Sequence, residues 1–292
     1  ADRVLRYLSV PDRRAVIVAG STMPGEHEIV LSGFERIRTL ARNPLLILAP
    51  RKPEHFAEAA ALARQSGCRT VLRSQLEIDQ EVRADVVVLD TIGELAQVYQ
   101  AATVVFVGGS LVPVGGHNIL EPAVYGKPIV FGPHMQNFAE IAETFLAGLA
   151  AIQVETAREL EDALIELLSE PEARTRLGER ARALVDEHEA ALRELALAEQ
   201  EMPNSQELHE ARATVFELQG RFEEAIREIE VALTLSPRDE SLFTSLGMYH
   251  WWSRQYGPAE DYAQRARLLA PDQLWPSLTK VFSIWSDRGP TP

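Results

Sequence analysis

The stretch 104–133, VVFVGGSLVPVGGHNILEPAVYGKPIVFGP, decides the fold that this chain is predicted to adopt. It contains two short β-branched, apolar runs, Val104 to Val107 and Ile129 to Phe131, each of which predicts a buried strand. A short helix is predicted to open between them at His117-Asn118. The stretch therefore predicts one strand–helix–strand unit of a parallel sheet.

The connection between the two strands has the pattern of a nucleotide site. Its glycine pairs, Gly108-Gly109 and Gly115-Gly116, let backbone N–H groups approach a ligand, and a helix start adds positive partial charge. Glu121 follows one turn into the helix, where a carboxylate can accept hydrogen bonds from a ribose diol. These residues thus predict a site that binds a phosphate next to a ribose. The alternative is a tight turn capped by Asn118, with Glu121 as a solvated acid.

The alternation of strand and helix continues on both sides of this stretch. Further strands are predicted at Ala15–Ala19, Leu45–Ala49, Thr70–Leu72, Val86–Leu89 and Ala151–Val154. Helices are predicted at Glu26–Arg42, Glu54–Gln65, Gly93–Ala102, Asn137–Leu146 and Arg158–Leu168. This order predicts an α/β fold, a Rossmann-like parallel sheet with helices on both faces and right-handed crossovers.

Small, polar and cationic residues gather just past the predicted strands, at Gly20-Ser21-Thr22, Pro50-Arg51, Asp90-Thr91 and Gly108-Gly109-Ser110. Ligands of open parallel sheets bind outside the carboxyl ends of the strands, so these residues are candidates for the site. Arg51 is the cation among them and can pair with a phosphate through two hydrogen bonds. The alternative is a surface arginine at a helix start.

Composition narrows the class of protein. The 292 residues are 46% apolar, which is enough for two domains. A net charge of −14 argues against a nucleic-acid binder held by phosphate contacts. The single cysteine, Cys68, permits no internal disulfide and no cysteine-based metal site, which fits a reducing cytosolic setting. The start at Ala1, close to a buried-type strand, suggests a piece of a longer protein or a processed start.

The second part of the chain is predicted to be helical. Residues 172–201 form one run of helix formers in which Gly178 is the interruption, and Met202-Pro203-Asn204-Ser205 ends it. We place the domain boundary there, which gives domains 1–202 and 203–292.

The segments Gly220–Asp239 and Arg254–Gln273 align at a separation of 34 residues, as Phe222 and Tyr256 show. This is the period of tetratricopeptide repeats, which bind proteins or peptides. Leu246-Gly247 supplies the small packing residue of the second repeat. Either the long helix before the boundary or Leu274–Ser286 is expected to complete the stack. Trp251, Trp252, Trp275 and Trp285 are expected in the core rather than in a peptide groove.

Four motifs resemble a known family in the same order. They are AGSTMPGEHEIVLSGF, LILAPRKPEHF, LDTIGELAQVYQAA and GGSLVPVGGHNILEPAVYGKPIVFGPHMQNF, and the resemblance covers roughly Ala15 to Leu192. They resemble the nucleotide-sugar-binding half of 3-deoxy-D-manno-octulosonic acid (Kdo) transferases, which move Kdo from CMP-Kdo to lipid A in lipopolysaccharide biosynthesis. The resemblance implies the C-terminal Rossmann-like domain of a two-domain (GT-B) glycosyltransferase, with no cofactor and no metal.

The resemblance also implies which residues contact the nucleotide. These are Pro50, Arg51, Ile92, Gly93, Glu94, Asn118, Ile119, Leu120 and Glu121. It assigns Arg51 to the phosphate, Glu121 to the ribose hydroxyls, and Gly93 with its neighbours to the cytosine. Candidate donor-loop contacts are Ser21, Thr22, Ser110, Gly115, Gly116 and His117.

The chain departs from the family pattern in several places. Family members carry an N-terminal membrane anchor and an acceptor domain with a glutamate as general base, so no catalytic residue is assigned here. Met23 and Lys52 stand where the family has histidines. The resemblance implies a cytoplasmic protein at the cytoplasmic face of the inner membrane. Two alternatives are a GT-B transferase that uses another nucleotide sugar, such as a UDP-sugar, and a non-catalytic tetratricopeptide scaffold.

Overall fold

The structure is a computed structural model that describes residues 2–11, 14–202, 204–253 and 255–270. It divides into two compact units, Ala1–Asp186 and a second one that begins at Glu187. The division lies inside a long helix, upstream of the predicted boundary at Pro203, which stays a prediction.

The first unit is built on one parallel sheet. Its seven strands are β1 (Val16–Thr22), β2 (Leu45–Pro50), β3 (Thr70–Leu72), β4 (Val86–Val88), β5 (Val104–Val107), β6 (Ile129–Phe131) and β7 (Ile152–Gln153). They lie in the order β3-β4-β2-β1-β5-β6-β7, and every neighbouring pair is parallel. The predicted α/β class with a parallel sheet is confirmed.

Helices cover the sheet. They are α1 (Asp2–Tyr7), α2 (Glu26–Leu40), α3 (Phe56–Gln65), α4 (Leu95–Val98), α5 (Leu120–Ala123), α6 (Ala139–Ala147), α7 (Ala157–Ser169) and α8 (Pro171–Glu201). Residues of α2, α3 and α7 pack on one face of the strands, in a core that contains Phe34, Leu48 and Phe106. Each residue of β1, β2 and β5 is buried. Burial on both faces explains why these strands are continuous apolar runs rather than alternating ones.

The sheet has one point where the strand order reverses. From β1 the chain passes through α2 to β2 on one side, and it later returns to place β5 on the other side of β1. The carboxyl ends of β1 and β5 therefore border the crevice in which such sheets bind ligands.

Two sequence expectations need correction. The short helix begins at Leu120 rather than at His117-Asn118, because the side-chain oxygen of Asn118 accepts the backbone N–H of Leu120 at 2.9 Å and forms a turn first. Gly178 does not interrupt α8, which is continuous. A Cβ atom on Gly178 would overlap the carbonyl oxygen of Gly126, so this glycine permits close approach of the helix to the turn before β6.

The second unit is helical, with α9 (Gln206–Leu218), α10 (Phe222–Leu235), α11 (Glu240–Trp252) and α12 (Tyr256–Leu269). The first helices of the two pairs begin 34 residues apart, at Gln206 and Glu240, and so do the second helices, at Phe222 and Tyr256.

Small residues occupy equivalent buried positions in the two helix pairs. Ala213 is buried in the first, and Gly247 of the second would place a Cβ atom 3.4 Å from the carbonyl oxygen of Ala259. Gly247 is thus buried in close contact with α12, and its role as the packing residue of a tetratricopeptide repeat stays a prediction. Leu192 of α8 packs against this core, as does Trp252, whose ring lies 5.4 Å from that of Phe222. Leu274–Ser286, Trp275, Trp285 and Pro271 lie outside the described residues.

Candidate active site

Loops from three neighbouring strands meet at the crevice. The backbone N–H of Arg51 donates to the carbonyl of Thr22 at 2.9 Å, and that of Gly108 donates to the carbonyl of Gly20 at 2.8 Å. The pairing of β1 with β2 shifts register between Gly20 and Thr22, and Ser21 between them has a φ of 54°. Such a conformation is costly for a residue with a side chain and is most often kept at functional sites.

Glu26, the first residue of α2, occupies the place predicted for a phosphate. One of its carboxylate oxygens accepts the N–H groups of Met23 at 2.9 Å and Gly109 at 2.7 Å. The other accepts those of Ser110 at 3.0 Å and Leu111 at 2.9 Å. The prediction that the N–H groups of Gly108-Gly109 bind a phosphate was wrong, because both N–H groups already have partners inside the protein.

The Glu26 carboxylate is fully buried. Burial raises its pKa, and the backbone N–H groups of Gly109, Met23, Leu111 and Ser110 oppose that rise. An internal anion thus ties the loop after β1 to the loop after β5. The carboxyl edge of the sheet is assembled around this group, and a ligand phosphate must lie elsewhere on the edge.

Arg51 and Glu121, two residues predicted to belong to the site, lie near enough for their charges to interact. Arg51 is exposed and Glu121 is half-buried. Burial raises the pKa of Glu121, and the Arg51 guanidinium opposes this rise, so the two charges act on each other. A cation that follows β2 thus interacts electrostatically with a carboxylate, which is a hydrogen-bond acceptor.

Tyr99 belongs to the same group and was missed by the sequence analysis. Its side chain is only 2% exposed, and both Glu121 and Arg51 act on the pKa of its hydroxyl. The residues around Tyr99 in the sequence do not distinguish it from other aromatic residues of the core. The available signal was Gly20, because a glycine within a buried strand often marks the close approach of another group.

The loop after β4 presents an open apolar surface. Ile92 is 82% exposed, and Gly93 has a φ of 83° with nothing close to the position of a Cβ atom. The Glu94 carboxylate accepts hydrogen bonds from Arg73 at 2.8 Å and from the Thr91 hydroxyl at 2.6 Å. Glu94 therefore holds the loop in shape, while Ile92 and Gly93 are free to face a base.

Several of the other predicted residues have little side-chain surface. Thr22, Ser110 and Ile119 are 0% exposed, Leu120 is 3% exposed and Ser21 is 7% exposed. The Ser110 hydroxyl donates to the carbonyl of Val107 and accepts the N–H of Gly132 at 2.8 Å. These buried side chains support the carboxyl edge of the sheet. In this conformation, the residues can contact a ligand only through their backbone atoms.

The second glycine pair is a packing point between two loops. Gly115 and Gly116 have φ values of 102° and 75°, and Cβ atoms on them would overlap Asn137 and Met135 respectively. Gly115 and Gly116 are buried, and so is Pro50, the last residue of β2. His117 and Asn118, which follow the glycine pair, are half-buried. Whether these residues touch a donor stays a prediction.

Two classes of feature are absent from the described parts of the chain. No group of three or more His, Cys, Asp or Glu residues there could hold a metal ion. No helix in those parts is long and apolar enough to cross a membrane.

Known proteins that resemble this chain in sequence are glycosyltransferases. Residues 74–184 match the family described as glycosyl transferases group 1. The 3-deoxy-D-manno-octulosonic acid transferase of Bordetella pertussis is 36% identical over 183 residues, which are 62% of this chain and 43% of that protein. The enzyme of the same name from Haemophilus influenzae is 38% identical over 192 residues, 65% of this chain and 44% of that protein. This chain thus spans less than half the length of these relatives.

A solved structure covers the same region. It is the C-terminal CMP-Kdo binding domain of WaaA from Acinetobacter baumannii, which is 33% identical with a TM-score of 0.55. The match covers 60% of this chain and 90% of that domain. The chain therefore belongs to the 3-deoxy-D-manno-octulosonic acid transferase family, with which it shares the C-terminal domain.

Proposed function

We propose that the α/β unit binds CMP-Kdo and serves as the donor half of a transferase that moves Kdo to a lipid A precursor. The observation that supports this proposal is the electrostatic interaction between Arg51 and Glu121 at the crevice where the strand order reverses. The solved domain of Acinetobacter baumannii, which matches this unit, is named for CMP-Kdo binding and supports the choice of ligand.

The residues suggest how the nucleotide lies. The Glu26 carboxylate already accepts the backbone N–H groups of the loop after β5, so we assign the phosphate to Arg51. Glu121 next to it accepts hydrogen bonds from ribose hydroxyls, since a carboxylate attracts hydroxyl donors and repels phosphate. Ile92 and Gly93 provide the open apolar surface for the cytosine.

The proposed reaction breaks the bond between the anomeric carbon of Kdo and the phosphate oxygen of CMP. CMP leaves with the electron pair, and a hydroxyl of the acceptor attacks the carbon and gives its proton to a general base. Arg51 stabilises the negative charge that develops on the leaving phosphate. We assign the base and the acceptor site to the part of the relatives that this chain does not share. Alone, the chain should bind the donor and transfer little.

Substitution at the site tests this proposal. Arg51→Ala and Glu121→Ala should each weaken CMP binding about 5- to 100-fold, because each removes a hydrogen-bonding charged group worth about 1–3 kcal/mol. Isothermal titration calorimetry measures the effect. Arg64→Ala, which removes an exposed cation from α3, is the control and should bind CMP like the unmodified chain. Equal affinities in all the variants would contradict the assignment.

We also propose that the helical unit is a tetratricopeptide-type module that binds a protein or peptide. The support is the offset of 34 residues that relates both helices of one pair to those of the next.

The proposed transferase function includes a location at the cytoplasmic face of the inner membrane, since the proposed acceptor is a membrane lipid. If a well-folded chain binds no nucleotide, the scaffold alternative becomes the better account.

A further inference from the structure

The hydroxyl of Tyr99 lies at the centre of the carboxyl edge. Tyr99 begins a short 3₁₀ turn after α4, and its ring is buried under the crevice. A Cβ atom on Gly20 would overlap the Tyr99 hydroxyl oxygen and lie 2.9 Å from Cζ. Gly20 pairs with Ala49 of β2 on one side and with Val107 of β5 on the other. The phenol hydroxyl therefore packs against β1 close to its carboxyl end, and β1 is flanked by β2 and β5.

In the part of the chain that the structure describes, the influences on this hydroxyl are burial and the charges of Glu121 and Arg51, with no hydrogen bond among them. The side chain is 2% exposed, and its oxygen is not one of the fully buried side-chain atoms that lack a partner, so the oxygen keeps a small accessible surface. Glu121 and Arg51 are the charged groups that act on it. A nearly buried polar group that keeps a small accessible surface can accept or donate one hydrogen bond to a ligand or to a water molecule. The place of Tyr99 beside Glu121 indicates that this partner is a ligand.

We propose that the Tyr99 hydroxyl is a ligand-binding group of this site, which donates a hydrogen bond to a ribose hydroxyl that Glu121 also holds. Burial raises the pKa of Tyr99 well above its usual value, and Glu121 raises it further, so the phenol stays neutral and can donate. A donor phenol beside an acceptor carboxylate matches a ribose hydroxyl, which accepts from the first and donates to the second. A phosphate fits less well, since the carboxylate would repel it. This proposal rests on the nucleotide binding proposed above.

The test compares two ligands and two proteins. CMP and 2′,3′-dideoxy-CMP, which lacks both ribose hydroxyls, are titrated into the unmodified chain and into Tyr99→Phe. The substitution keeps the ring and removes one hydroxyl. We expect Tyr99→Phe to weaken CMP binding roughly fivefold to tenfold and to change dideoxy-CMP binding less than about twofold.

Tyr125→Phe is the matched control. Tyr125 lies before β6, at the opposite edge of the sheet, and is 36% exposed. It should bind both ligands as the unmodified chain does, and thermal denaturation should give all three proteins similar Tm values.

Two results for Tyr99→Phe overturn the proposal: unchanged CMP binding, or equal weakening of CMP and dideoxy-CMP, which would show an effect on packing instead. If the unmodified chain binds no CMP, the proposed nucleotide site fails and this assignment fails with it. The titration of the unmodified chain thus separates the two failures.

Discussion

Replacing Glu26 with glutamine is expected to lower the free energy of unfolding of the α/β unit by about 2–4 kcal/mol. The carboxylate accepts four backbone N–H groups, two on each oxygen, and three of them come from the loop after β5. Glutamine keeps one acceptor oxygen and turns an NH₂ group toward the other pair of donors. At least two buried N–H groups then lose their partner, which is costly in a fully buried position.

Urea denaturation measures this effect, with Glu28→Gln as the control. Glu28 lies in the same first turn of α2 but is exposed, so its substitution should change stability by less than about 0.5 kcal/mol. If Glu26→Gln is as stable as Glu28→Gln, the carboxylate does not hold the two loops together.

Gly108→Ala should destabilise the α/β unit by about 2–3 kcal/mol and also weaken nucleotide binding. A Cβ atom on Gly108 would lie 2.6 Å from the Cα atom of Thr22 and 2.8 Å from the carbonyl oxygen of Ser21. Both are backbone atoms of the loop after β1 and cannot rotate away as a side chain can. The two loops would have to separate, and this would disturb the crevice between them.

Gly33→Ala gives the matched comparison by denaturation. Gly33 is buried within α2, and a Cβ atom there would meet nothing nearer than the Cβ of Glu161 at 3.7 Å. Alanine is the better helix former, so this change should leave stability unchanged or raise it by up to about 1 kcal/mol. The close packing of the two loops would be contradicted if Gly108→Ala behaved in the same way.

The strands could be predicted because a strand that is buried on both faces of a parallel sheet is a continuous run of apolar residues. β3, β5 and β6 have the predicted bounds, Thr70–Leu72, Val104–Val107 and Ile129–Phe131. The rule that ligands bind at the carboxyl ends of the strands then selected Arg51, and the helix after the glycine pairs selected Glu121. The two charges interact in the structure, and their contact with a nucleotide stays a prediction.

The remainder of the site depends on contacts between residues far apart in the sequence. Glu26 and Gly109 are 83 residues apart, and nothing near either residue indicates that one binds the other. Glycines followed by a helix predict an anion, and at Gly109 that anion is the Glu26 side chain of the protein itself rather than the phosphate of a ligand. Tyr99 likewise looks like an ordinary core aromatic until its hydroxyl is placed beside Gly20.

The measurement that tests the central claim most directly is calorimetric titration of the unmodified 292-residue chain with CMP and with UMP. A donor site for CMP-Kdo should bind CMP clearly more tightly than UMP, because it must distinguish the 4-amino group of cytosine from the 4-carbonyl group of uracil. Tighter binding of UMP would indicate a transferase for another nucleotide sugar. Binding of neither nucleotide to a folded chain would contradict a donor site at the Arg51–Glu121 edge.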